Sequence, residues 1–159
     1  MRHVIALDVG GTGMKAALVA ADGTLLHEDR RPTGRERGPD AVVAAILDFA
    51  ADLGAHGERE YGEPAVAAGV AVPGIVDADT GVASYSANLG WRDVPLRDLL
   101  SRRLDGIPVA LGHDVRSGGL AEAGDTLVGP RGTAVEERIT FQKLPPIVPA
   151  ALGDTAGCL

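Results

Sequence analysis

The segment Leu7-Asp8-Val9-Gly10-Gly11-Thr12-Gly13-Met14-Lys15 limits the folds open to this chain more than any other stretch. An apolar run from His3 to Val9 enters it and a second, Met14 to Ala21, leaves it. Both read as buried strands. Asp22-Gly23 then makes a tight turn into a third strand around Thr24 to Asp29. Three strands in quick succession point to a sheet, and the first reversal is built of glycine. Consecutive glycines let backbone N–H groups approach an anion closely, and Thr12 adds a hydroxyl donor.

Three chemistries use such a loop. A Walker P-loop needs Gly-Lys followed by Ser or Thr, whereas Lys15 is followed by Ala16, so that reading is excluded. A dinucleotide fingerprint is formally present as Gly11-x-Gly13-x-x-Ala16. It demands a helix next, yet the Asp-Gly turn after Ala21 favours a strand. Asp8 would also set an uncompensated carboxylate beside the pyrophosphate. A β-hairpin phosphate loop accounts for both features, with Asp8 near a magnesium–nucleotide and Lys15 lending charge. A plain glycine-rich hairpin is the structural alternative.

Downstream, Gly38-Pro39-Asp40 opens a helix whose Val42, Ile46, Phe49 and Leu53 form one apolar stripe, with Gly54, Gly57 and Gly62 punctuating its end. Ala65 to Val72 reads as a central strand, apolar on both faces and stopped by Pro73-Gly74. Val76 to Ser84 reads as a small hairpin, Pro95 to Leu104 as an amphipathic helix, Ile107 to Leu111 as a strand, and residues 114–123 as a helix. The order β-β-β-α-β-α-β-α predicts an α/β fold, a mixed sheet flanked by helices.

Composition narrows the function classes. Twenty-two acids against fifteen bases leave a formal charge of −7, which argues against a nucleic-acid surface. Arg30, Arg31, Arg35 and Arg37 cluster, but Asp29, Pro32, Gly34 and Glu36 interrupt them, and the stretch reads as a solvated loop. Cys158 is the single cysteine, so neither an intrachain disulfide nor a multi-thiolate zinc site can form. No stretch approaches the roughly 20 apolar residues that span a bilayer, and Arg2-His3 leads straight into the first strand without a signal peptide. The expectation is a cytoplasmic protein without a membrane partner.

Asp8-x-Gly10-Gly11-Thr12-x-x-Lys15 resembles the first phosphate motif of sugar kinases with the actin and hexokinase-like ATPase fold, ribonuclease H-like in its sheet, and most of all the ROK family. The resemblance continues at Ala71-Val72-Pro73-Gly74-Ile75-Val76-Asp77, similar to the strand-to-turn segment at the base of the family's sugar cleft. It reaches Ser86-Ala87-Asn88-Leu89-Gly90-Trp91, where the family's Asn binds sugar hydroxyls, a task suited to an amide that both donates and accepts. By itself Asn88 also reads as a turn residue before Gly90, and Trp91 as a core plug. In Leu111-Gly112-His113-Asp114 the family's usual Asn-Asp pair becomes His-Asp. The resemblance makes Asp114 the general base, with His113 in the Asn place as a sugar ligand. Spacing alone supports equally an N-cap role for Asp114.

The resemblance implies phosphorylation of a hexose, glucose first among them, by ATP with Mg2+ and no zinc. It covers residues 1–124, read as the N-terminal kinase domain. A full-length relative would continue with a second phosphate loop, a Glu-x-Gly-His segment and a cysteine-rich zinc loop. Residues 125–159 instead resemble the extreme C-terminal end of the family. Gly118-Gly119-Leu120-Ala121-Glu122-Ala123-Gly124 fits both the end of the catalytic segment and a later family turn. The expectation is an internal deletion that removes most of the second domain and leaves activity impaired, with a homodimer allowed through orphaned surface. Two alternatives stand beside it: a non-catalytic remnant, and a sugar-responsive ROK regulator lacking its DNA-binding domain.

Overall fold

A computed structural model describes residues 2–113. The chain opens with the antiparallel meander β1 (His3–Val9), β2 (Gly13–Ala20) and β3 (Leu25–Pro32). Asp22 shapes the second turn by accepting a hydrogen bond from the Thr24 N–H at 2.9 Å. Bonding to Thr24 holds its carboxyl below the usual carboxylate range. A 3-10 turn at Arg35–Arg37 leads into α1 (Pro39–Tyr61), which has proline in its first turn where the missing N–H costs nothing.

Then follow β4 (Ala68–Val72), β5 (Ile75–Asp77), β6 (Val82–Ser86), β7 (Trp91–Val94), α2 (Leu96–Arg103) and β8 (Val109–His113). The main sheet has the order β3-β2-β1-β4-β8, and β5-β6-β7 forms a second, antiparallel sheet. β1, β4 and β8 run parallel, so the main sheet is mixed.

The two sheet faces differ in side-chain size. Ile5, Leu7 and Val9 of β1, Met14 and Leu18 of β2, and Val70 and Val72 of β4 share one core with Val42, Ile46, Phe49 and Leu53 of α1 and Leu96 and Leu100 of α2. Both helices therefore cover the same face. Each fully buried large side chain contributes about 1.5–3 kcal/mol relative to exposure. Alternation sends Val4, Ala6, Ala17 and Val19 to the opposite face, where they cluster with Ala67.

Polar ties fasten α1 to the meander. The Tyr61 hydroxyl donates to the Leu26 carbonyl at 3.1 Å, and the buried His3 ring meets Tyr61 edge-on at 5.5 Å. Arg31 lies 4.6 Å over the Phe49 ring and pairs with Asp52 at 2.8 Å.

The described elements match the expected α/β order, with three differences. The Val76–Ser84 hairpin becomes a three-stranded sheet, because β7 follows β6 after a four-residue turn that no Asn-Gly or Asp-Gly pair announces. The last strand runs to His113 rather than ending at Leu111. Gly54 and Gly57 do not end α1; Gly62 does, at φ 78°, as a left-handed cap. The expected helix at 114–123, the segment 125–159 and the proposed join at 118–124 lie outside the described residues.

The two internal glycines of α1 have opposite surroundings. A Cβ on Gly54 would meet Ile5 Cδ1 and Leu104 Cδ2 at 3.6 Å, an ordinary contact. On Gly57 it would lie 2.6 Å from Nε2 of the buried His3 and 3.0 Å from Leu18 Cδ1. Gly54→Ala is expected to stabilise the chain by up to about 1 kcal/mol through helix propensity. Gly57→Ala is expected to destabilise it by about 1–3 kcal/mol through overpacking. Denaturant melts of the two variants check the pair.

Candidate functional site

The glycine segment forms the turn between β1 and β2. The Gly10 N–H donates to the Gly13 carbonyl at 2.8 Å, closing the hairpin on itself. A Cβ on Gly10 would sit 2.7 Å from that same oxygen, so the position admits no side chain without opening the turn. The Gly10 amide is thus engaged internally. Thr12 and Gly13 are exposed.

Asp8 and Lys15 are register partners across β1 and β2. They point to the sheet face away from the helices, since Leu7, Val9, Met14 and Ala16 point into the helical core. On its other side Lys15 faces Arg30 of β3. A carboxylate is thereby set beside cations at the mouth of the hairpin.

Thr33, which the sequence did not single out, holds this turn in place. It is fully buried; its hydroxyl donates to the Gly10 carbonyl at 2.8 Å and its N–H to the Thr12 carbonyl at 3.0 Å. The partners are 23 positions apart in sequence, and no local pattern links them.

The carboxyl ends of the three parallel strands meet at one edge of the sheet. Asp8 pairs with Ala71, Ala71 with Gly112, and Val72 with His113. The glycine hairpin, the Pro73-Gly74 turn and the end of β8 therefore emerge side by side. In open α/β sheets this edge is where ligands bind.

Gly74 has φ +96°, and a Cβ there would overlap the Tyr85 carbonyl oxygen and lie 2.9 Å from Ser86 Cα. That close approach seats the β4 exit directly on β6. Ser86, itself buried, organises the next turn: its hydroxyl accepts from the Leu89 N–H at 3.3 Å and its carbonyl from the Gly90 N–H at 2.8 Å. The turn presents Asn88 to solvent and tucks Leu89 and Trp91 into the core. Trp91 is thus a core plug.

The structure brings together Asp8, Gly10, Gly11, Thr12, Gly13 and Lys15 on one side, and Gly74 beside the Asn88 turn on the other. The His113 backbone lies next to β4. Asp114, one residue on, lies outside the described residues. Among the described residues no cluster of three or more His, Cys, Asp or Glu is arranged to hold a metal. A single carboxylate, Asp8, is what a magnesium ion carried in on phosphates asks of a protein.

A mixed sheet with helices over one face, a glycine hairpin leaving its central strand and two further turns at the same edge define the actin-like ATPase fold. The family comparison narrows this: residues 4–130 match the ROK family, and the chain belongs to it. The glucokinase of Halalkalibacterium halodurans is 31% identical over 121 residues, covering 76% of this chain and 36% of that protein. The chain therefore spans about a third of the length of such relatives. The inorganic polyphosphate/ATP-glucomannokinase of an Arthrobacter species superposes with a TM-score of 0.61 at 34% identity, over 77% of this chain and 48% of that one. A ROK family glucokinase from Streptomyces griseus, solved with glucose and AMPPNP, superposes with a TM-score of 0.63 at 25% identity, over 82% of this chain and 38% of that one.

Gly74 and Gly90 both have positive φ, but a Cβ on Gly90 would meet nothing within 4 Å. Gly90→Ala is therefore expected to cost about 1–2 kcal/mol, the left-handed penalty alone. Gly74→Ala is expected to cost about 2–4 kcal/mol, because backbone overlap adds to that penalty. Thermal unfolding of both variants measures the difference.

Proposed function

We propose that this chain is the N-terminal lobe of an ATP-dependent hexose kinase of the cytoplasm, with glucose as its sugar. The observation that carries the reading is the convergence of the glycine hairpin, the Gly74–Asn88 pair of turns and the end of β8 at one sheet edge. The donor's phosphates would lie against residues 10–13, with Lys15 contributing positive charge. Asp8 fits a magnesium ion held chiefly by those phosphates; the ion would neutralise charge developing on the transferred group. Glucose would lie between Gly74, Asn88 and His113. Asp114 would accept the proton of the attacking sugar hydroxyl, as its oxygen bonds to the terminal phosphorus and the bridging oxygen leaves with ADP.

The relatives named above as glucokinases, one of them solved with glucose and AMPPNP, support this assignment of substrate and donor. In the proposal residues 1–124 form the working lobe and residues 125–159 a remnant of the family's C-terminal end. This lobe supplies one wall of the cleft from which water is excluded during transfer. Phosphoryl transfer in a closed cleft needs both walls.

Mg–ATP and glucose are each expected to raise the melting temperature of the full chain, and Asp8→Asn to abolish the Mg–ATP shift. Glucose 6-phosphate formed in a coupled assay should fall by about 10²–10⁴-fold in Asp114→Asn. Stabilisation by a nicotinamide dinucleotide but not by Mg–ATP would overturn the kinase reading in favour of the dinucleotide one.

A further inference from the structure

The arginine-rich stretch from Arg30 to Arg37 reads as a solvated loop in the sequence, but Arg30 and Arg31 belong to β3, paired with β2, and the part after Pro32 lies on the glycine hairpin. Thr33 anchors it there through its two hydrogen bonds to the Gly10 and Thr12 carbonyls, at 2.8 and 3.0 Å. Directly after that anchor Gly34 takes φ 71°, a left-handed turn that sends the chain back over the hairpin. Arg35 then arrives beside Gly11: a Cβ built on Gly11 would lie 3.9 Å from the Arg35 guanidinium nitrogen Nη1.

The other arginines of the stretch are occupied. Arg31 pairs with Asp52 at 2.8 Å, Arg30 lies 4.0 Å from Glu28, and the Arg37 guanidinium packs against Gly34. Arg35 is exposed, and its guanidinium makes no hydrogen bond or ion pair among the described residues. A guanidinium with free donors is therefore held next to a loop built for phosphate. The loop has particular use for one, since the Gly10 amide is engaged with Gly13.

We propose that Arg35 is a phosphate-binding residue that closes the glycine hairpin from the β3 side. Its ligand is the terminal phosphates of the phosphoryl donor, whether a nucleoside triphosphate or a linear polyphosphate. Thr33 is the positioning residue that sets Arg35 over the loop. The planar fork of an arginine suits this task, because it donates two parallel hydrogen bonds to one phosphate. The inference rests on the phosphate-loop reading of residues 8–15 and adds a residue that the family motif does not contain.

The test is isothermal titration of the full 159-residue chain with inorganic tripolyphosphate and, separately, with Mg–ATP. Arg35→Ala is expected to raise Kd by about 5- to 20-fold, as for the loss of a charge-assisted hydrogen-bonding partner. Arg35→Lys should recover part of the loss. Arg102→Ala, which removes an equal charge from the exposed side of α2, should change nothing. Thr33→Val should weaken binding in the same arm as Arg35→Ala, with Thr33→Ser restoring it. A loss in both arms supports recognition of terminal phosphates common to the two donors, and a loss confined to one arm supports the inference and identifies the source. Equal Kd for wild type and Arg35→Ala in both arms overturns the inference and leaves the phosphate loop standing. A folded wild-type chain that binds neither compound overturns both.

Discussion

β1 is buried on both faces and hydrogen-bonded along both edges, and the rest of the domain is arranged around that constraint. A strand in this position must be apolar throughout, and Val4, Ile5, Ala6, Leu7 and Val9 are all at most 1% exposed. The polar exceptions are His3, buried at the start of the strand, and Asp8, half-buried near its carboxyl end. One edge of β1 carries its hairpin partner β2, and the other carries β4 in parallel. A parallel neighbour requires the chain to cross over, and α1 makes that crossing. The carboxyl ends of β1 and β4 are thereby brought to the same edge of the sheet, where both leave on glycine turns.

The glycines of this edge work by different physical means. Gly10 is required by a backbone oxygen 2.7 Å from where its Cβ would stand, although its φ is not positive. Gly74 combines a left-handed φ of +96° with overlap against Tyr85 and Ser86. The first closes a turn on itself; the second lets two sheets touch. Both effects shorten the distance between chain segments that carry polar groups at this edge.

The small sheet and the main sheet share one core through Trp91, Ala83 and Leu89, packed with α2 and β4 residues. Asn88 is held at the surface on a turn anchored by buried Ser86 before it and by buried Leu89 and Trp91 after it. A candidate sugar ligand is therefore placed by apolar burial of Leu89 and Trp91 and by the Ser86 hydrogen bonds, with no need for a rigid contact of its own.

Much of this was legible in the sequence, because it depends on local pattern. The strand–glycine–strand opening, the apolar stripe of α1 and the abrupt stop at Pro73-Gly74 follow from hydrophobic period and turn chemistry. The motif residues 8–15, Gly74, Asn88 and His113 could be picked out one by one, though not placed against each other. Three features were decided only by the tertiary structure. Gly54 and Gly57 read as helix breakers, but packing on β1 and β2 carries α1 through to Gly62. β7 follows a turn that Asn88 and Gly90 suggest but no Asn-Gly or Asp-Gly pair marks as a hairpin, and it forms because Trp91 can be buried when paired with β6. Thr33 reaches Gly10 across 23 positions, and with it Arg35 moves from an apparently solvated loop to the hairpin. The sequence by itself determines which segments become strands and helices, since those choices depend on neighbours within a few residues. Which segments share the ligand edge is decided by strand order and burial, which bring together residues that sequence distance keeps apart.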